Sequence, residues 1–287
     1  MKKKYIAVIT LIFLIAICWI SSISLSSNKS GVANTYGSAK DIDGTSIVVS
    51  IFADDKTTSW DDEKDAKTIE NIRSYLGIAE QYLEDTASAY NKSADFITDF
   101  KANPDLKYQM TFDDVITTQE YIDAGNADEP AWNFIDTNID EAALRQKYDA
   151  DNVIYIIFVN SDEDCTAISC TRNWYEGMPY NYEMVYLFNY DSGLTNGPAV
   201  YAHEILHTFG APDLYATDEE YNISDDFLEY IAANYPNDIM LTCSDLESGD
   251  YLYDSINNEV TEITAYYVGL IDSSDIAKEW NLGESQH

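Results

Sequence analysis

One stretch of the chain, His203-Glu204-Ile205-Leu206-His207-Thr208-Phe209-Gly210-Ala211-Pro212-Asp213, carries side chains whose types and spacing suit metal-assisted hydrolysis. Two histidines four apart on a helix project from one face, one turn above the other. Both imidazoles can then reach one zinc ion. Glu204 lies between them and can receive a proton from a water molecule acidified by the metal. Gly210 frees the backbone to turn sharply. Asp213 follows the second histidine by six residues, so after that turn its carboxylate can come back to the metal. Two nitrogens and one oxygen leave a fourth position open, as a catalytic zinc site requires. The expected metal ligands are therefore His203, His207 and Asp213, with Glu204 as general base. The plain alternative is a helix with two structural histidines, ended by a glycine and followed by a surface aspartate. The chain has three histidines, and the third, His287, is its last residue and is expected to be disordered.

These side chains need a framework. Pro198 suits the first turn of a helix, which Val200, Ile205, Leu206 and Phe209 would bury and which Gly210 and Pro212 would end. Upstream, Ser46–Phe52 reads as a strand, and apolar residues from Ile69 to Tyr90 recur at helical spacing. Leu106–Phe112 reads as a second strand and Ile139–Tyr148 as a helix. Asn152–Val159 is continuously apolar and β-branched, as in a strand buried on both faces. Glu183–Tyr190 is expected to be a further strand at an edge beside the site, free to pair with an extended peptide. The last third reads as helical and irregular, with helices near Asp225–Asn234 and Glu262–Ile271. The order predicts one α+β domain over residues 46–287, with a mixed sheet and the metal-bearing helix in an upper lobe and a smaller, mostly helical or irregular lower lobe.

With those residues laid out, His203 to Asp213 resembles the extended zinc signature of the metzincin-type peptidases, with an aspartate in place of the usual third histidine. The aspartate version resembles the snapalysin family, and the run continuing through Leu214-Tyr215 is also similar to the immune inhibitor A-like peptidases. The resemblance implies a zincin-like catalytic domain, a zinc cofactor, a protein or peptide substrate and a methionine turn beneath the metal. Asn237-Asp238-Ile239-Met240 matches the turn, with Met240 at its centre. The specific match covers Pro198 to Met240. Two points depart from the pattern. The position two residues after the turn methionine, often a tyrosine that stabilises the transition state, is Thr242, which leaves Tyr215, Tyr251 and Tyr253 as replacements. Glu219 and Glu220 stand in reserve for Asp213 as the third ligand.

Charge and leader bound the setting. The 287 residues include 51 acidic and 16 basic ones, for a formal net charge of −35, so nucleic acid is an improbable partner. Solubility is the plain reading of that acidity. Calcium sites or basic substrates are the functional one, with Asp61-Asp62-Glu63 and Asp162-Glu163-Asp164 as places for a structural calcium ion, although neither run has the ligand spacing of a calcium loop. Lys2, Lys3 and Lys4 precede an uncharged, mostly apolar stretch to Ser27, which reads as a cleaved signal or a retained membrane anchor. Residues 28–45 read as a flexible tether. Either leader predicts an outward-facing protein, secreted or anchored at a bacterial cell surface, touching membrane only through that segment. There are four cysteines; Cys165 and Cys170 are close enough to close a small disulfide loop, although Cys243 leaves other pairings open. Two rivals stand against a peptidase: a degenerate zincin-fold surface binding module, and an acidic, calcium-loaded wall protein.

Overall fold

Apolar residues that continue without alternation belong in strands covered on both faces, and two such runs lie at the centre of this molecule. The computed structural model describes residues 39–287 apart from Glu176, Ser192 and Gln286. Strand β1 runs from Gly44 to Asp54 and pairs in parallel with β4, Asn152–Val159, in the register Ser46 to Asn152 through Ala53 to Val159. The other edge of β1 is shared by two shorter strands laid end to end. Ala94–Ile97 (β2) pairs with Gly44–Ile47, and Lys107–Thr111 (β3) pairs with Ser50–Asp54, both in parallel. Beyond β4 lies β6, Met184–Phe188, also parallel, and beyond β6 the three-residue strand β5, Cys170–Arg172, runs antiparallel. The sheet is mixed, mostly parallel, and one end of its strand order is β5.

Helices cover both faces. Side chains of Val48, Phe52, Ile154, Ile156, Phe158, Val185 and Leu187 join one core cluster with Leu76, Ala79 and Leu83 of helix α1, Ala66–Ala89. The alternate residues, among them Ile47, Ile51, Val153, Tyr155 and Tyr186, join a second cluster. That cluster is roofed by α2 (Gln119–Asp123), α3 (Asp128–Asn138) and α4 (Glu141–Tyr148), through Ile122, Ala131, Ile135 and Leu144. All eight residues of β4 are buried, and each large aliphatic side chain so enclosed contributes roughly 1.5–3 kcal/mol. After β6 come the short pair β7, Tyr190–Asp191, and β8, Leu194–Thr195. Helix α5, Pro198–Thr208, follows, and then a helical and irregular portion holding α6 (Asp225–Asn234), α7 (Glu262–Tyr267) and α8 (Asp275–Glu279). The chain is thus a mixed α+β fold.

Several expectations need correction. Glu183–Tyr190 does not supply an edge: β6 lies between β4 and β5, and the end position belongs to β5, in a stretch read as loop. The expected loop disulfide is absent, because Cys165, Cys170 and Cys243 are free thiols. Cys170 lies within β5 beside Tyr186, and burial pushes its thiol up to about 12. His287 is packed rather than loose. Its imidazole touches Asp41 Oδ1 and the Phe209 carbonyl, each at 2.9 Å. Residues 1–38, with the expected leader and most of the expected tether, lie outside the described residues. Packing already begins within the tether range, since Ala39 and Ile42 are buried. Among the described residues, no helix is long and apolar enough to cross a membrane.

Candidate metal centre

Helix α5 is apolar on nearly every side because nearly every side is covered. Gly197 precedes it, where a Cβ would come within 2.4 Å of the Leu252 carbonyl, and Pro198 opens its first turn. Ala202, Ile205 and Leu206 pack among α1, the sheet and the later segment that includes Ile239, Met240 and Ile263. Ten of its eleven residues are buried, including His203 and Glu204. The helix stops as the sequence predicts. Gly210 adopts φ 92°, in the left-handed half of conformational space that glycine enters without steric cost. Its N–H caps the His207 carbonyl at 2.9 Å. The chain then reverses, and the Leu214 N–H donates to the Met240 carbonyl at 3.0 Å, which ties the segment bearing Asp213 to the turn around Met240.

The two imidazoles are oriented through their Nδ1 atoms. His203 Nδ1 lies 2.9 Å from the Ile239 carbonyl, and His207 Nδ1 lies 2.7 Å from the Ala211 carbonyl. A carbonyl only accepts, so both Nδ1 atoms carry the proton, and each neutral ring presents a bare Nε2 lone pair. Those two Nε2 atoms are 3.1 Å apart. Asp213 Oδ1 sits 3.3 Å from one and 3.2 Å from the other. That oxygen is buried and has no hydrogen-bond partner. Three acceptors thus face one another with no donor among them. In tetrahedral zinc sites with metal–ligand bonds of about 2.0–2.1 Å, ligands stand about 3.3–3.4 Å apart. The triangle has nearly those edges, so the residues fit a small divalent cation held by two nitrogens and one oxygen.

The electrostatics agree with the geometry. Burial opposes charging either imidazole, yet both are raised above the ordinary histidine value, His203 by Cys243 and Asp213 and His207 by Asp213. Burial likewise pushes the Asp213 carboxyl upward, but the two imidazoles hold it well below the usual carboxylate range. Each direction reflects the attraction between the Asp213 carboxylate and the two imidazoles.

Glu204 brings its carboxylate within 4.8 Å of the histidine ligand atoms. Burial pushes it upward from the usual glutamate value, the imidazoles counteracting. Its Oε2 accepts a hydrogen bond from Thr171 Oγ1 at 2.8 Å. Glu219 and Glu220, the reserve ligands, are exposed, and Asp213 is the carboxylate brought to the imidazoles. Met240 is fully buried in a turn organised by Asp238, which sequence reasoning passed over. Asp238 Oδ1 accepts from the Met240 N–H and Thr264 Oγ1, both at 2.8 Å, and Oδ2 accepts from Thr261 Oγ1. The same turn presents the Ile239 carbonyl to His203. The signal was an acid two residues before the methionine with threonines downstream, but pairing Asp238 with Thr261 and Thr264 requires the fold.

The three tyrosines divide. Tyr253 donates to the Thr195 carbonyl at 3.0 Å, and Tyr251 packs against the start of α5, near Gly197. Tyr215 stacks on His203, with ring centres 6.3 Å apart and planes at 18°. Tyr215 is 44% exposed, and partial desolvation, with Asp213 and Glu204 adding to it, raises its phenol above the ordinary value. Of the acidic runs, Asp61 Oδ1 accepts from the Glu63 and Lys64 N–H groups, and Asp162 Oδ1 accepts from the Asp164 N–H, so both side chains close local turns.

No protein-family model matches the chain, and no curated protein matches it. Among solved structures, a chain of a chaperone–substrate complex is similar at a TM-score of 0.31 and 14% identity over 62% of this chain. The match spans 26% of that longer chain, and a likeness of this size carries no argument about fold or activity.

Proposed function

We propose that the protein is a zinc-dependent endopeptidase of metzincin type that works outside the cytoplasmic membrane, secreted or anchored by its N-terminal segment. The observation that carries the reading is the triangle of His203 Nε2, His207 Nε2 and Asp213 Oδ1, three largely enclosed acceptors 3.1 to 3.3 Å apart with no proton donor among them. When bound there, zinc would supply Lewis-acid chemistry, acidifying a water molecule and polarising a carbonyl. His203, His207 and Asp213 hold the cation, and the Ile239 and Ala211 carbonyls keep the two rings in the tautomer that binding needs. Glu204 takes the proton from the attacking water and delivers it to the departing amine. Tyr215, the tyrosine nearest the ligands, is the donor for the developing oxyanion. An extended peptide pairs along β5, the antiparallel strand that ends the sheet order, rather than along β6. In this reading the sheet with α1 and α5 forms the upper lobe of a zincin-like domain, and the portion after Gly210 forms the lower.

The test uses the purified full chain, assayed for bound zinc and for hydrolysis of casein. Wild type should carry one zinc and cleave, with cleavage abolished by chelator. Glu204→Gln should keep its zinc and lose about 10²- to 10⁴-fold in rate, the usual contribution of a general acid–base group. Zinc binding without cleavage by wild type would instead favour a binding module on this fold.

A further inference from the structure

Strand β5 is three residues long and sits at the end of the sheet, so pairing with β6 alone defines it. Its alternation matters more than its length. Cys170 joins the cluster on the face of α2, α3 and α4. Arg172 turns the same way, with Nε 3.4 Å from Asp128 and a guanidinium nitrogen on the Ile122 carbonyl. Thr171, between them, therefore points to the opposite face, where α5 lies. Its hydroxyl meets one residue of α5 at two places: Glu204 Oε2 at 2.8 Å and the Glu204 carbonyl at 3.0 Å. A side-chain hydroxyl within reach of both the head and the backbone of the same glutamate restricts that glutamate's rotamer. A bond to an ionised carboxylate is also stronger than one between neutral groups.

We infer that Thr171 is the positioning residue for Glu204: its hydroxyl aims the carboxylate, and because Thr171 belongs to the strand along which a peptide would pair, one residue sets both the base and the edge that seats the substrate. This inference rests on the peptidase reading above. It assigns no contact between Thr171 and the metal, so its loss should touch turnover and leave metal binding alone. Thr171→Val keeps the shape and the β-branch that the strand favours and removes only the hydroxyl. Thr171→Ser keeps the hydroxyl.

The experiment measures kcat and KM on one internally quenched peptide, zinc content and Tm for full-length wild type, Thr171→Val, Thr171→Ser and Glu204→Gln. Thr171→Val should lose about 10- to 100-fold in kcat, the usual effect of removing a hydrogen bond to a charged group, with KM, zinc content and Tm near wild type. Thr171→Ser should recover most of that loss. Wild-type kcat in Thr171→Val overturns the inference and leaves the peptidase reading intact. So does an equal fall in both Thr171 variants, or a fall accompanied by lost zinc, since either would make the residue structural. A wild type as inactive as Glu204→Gln removes the peptidase reading and this inference with it.

Discussion

At the scale of single residues, the centre is a set of lone pairs held where they repel unless a positive charge lies between them. Without a cation, the neighbouring Asp213, and for His203 also Cys243, favour protonation of the imidazoles against the cost of burial, and both are raised. The linkage has a definite sign. A histidine raised by folding contributes stability that is fully present below its unfolded value of about 6.5 and is lost as pH rises through its folded value. Metal binding runs the other way, because it needs both rings deprotonated and so strengthens with pH. The gap in Tm between zinc-loaded and metal-free protein should therefore widen from about pH 6 to about pH 8. Thermal unfolding at several pH values, with zinc or with chelator, checks this, and a constant gap would show that these imidazoles are not the ligands. Much of this scale was legible beforehand. Helix periodicity alone stacks residues 203 and 207, and a glycine three residues on makes the reversal to Asp213 readable. Thr171, Asp238 and the Ile239 carbonyl were not, because each reaches the site from a distant part of the chain through a contact that no local pattern encodes.

At the scale of elements, the end of α5 sets the distance between histidines and aspartate. Gly210 at φ 92° makes the reversal. A side chain in left-handed backbone costs about 1–2 kcal/mol. Gly210→Ala should lower Tm by about 2–8 °C for a domain of this size. The loss should be larger with zinc than with chelator, because a displaced Asp213 also weakens the metal; equal losses in the two conditions would separate the turn from the site. Among elements, β1, β4, β6 and α5 were readable, since each is long or patterned enough to declare its period. The order of strands was not. Whether Met184–Phe188 lies inside the sheet or at its rim depends on β5, and three residues, Cys170–Arg172, are too few for alternation to stand out from a loop. His287 misled for a related reason: terminal residues are usually frayed, and only the fold puts Asp41 and the Phe209 carbonyl around this one.

At the scale of the molecule, a formal charge of −35 gives long-range attraction for cations. In the proposed activity, a peptide flanked by lysines should be cleaved with higher kcat/KM than its glutamate-flanked counterpart. The advantage should shrink as ionic strength rises from about 0.01 M to about 0.5 M, because screening shortens the reach of the field. Kinetics with the paired peptides at several salt concentrations test it, and a preference that ignores salt would assign selectivity to local contacts instead.

The near-complete enclosure of α5 has a consequence for how firmly the donors are held. Two donors stand on a rod wedged between sheet and tail, whose amides can reach deuterated solvent only through large-scale opening. The third stands on a strip bent by one glycine and moored by the amide of Leu214. That strip is packed as well, with Ala211 and Leu214 in the core and the Ala211 carbonyl holding the His207 ring, so ligand ring and ligand carboxylate are fixed by one and the same short segment.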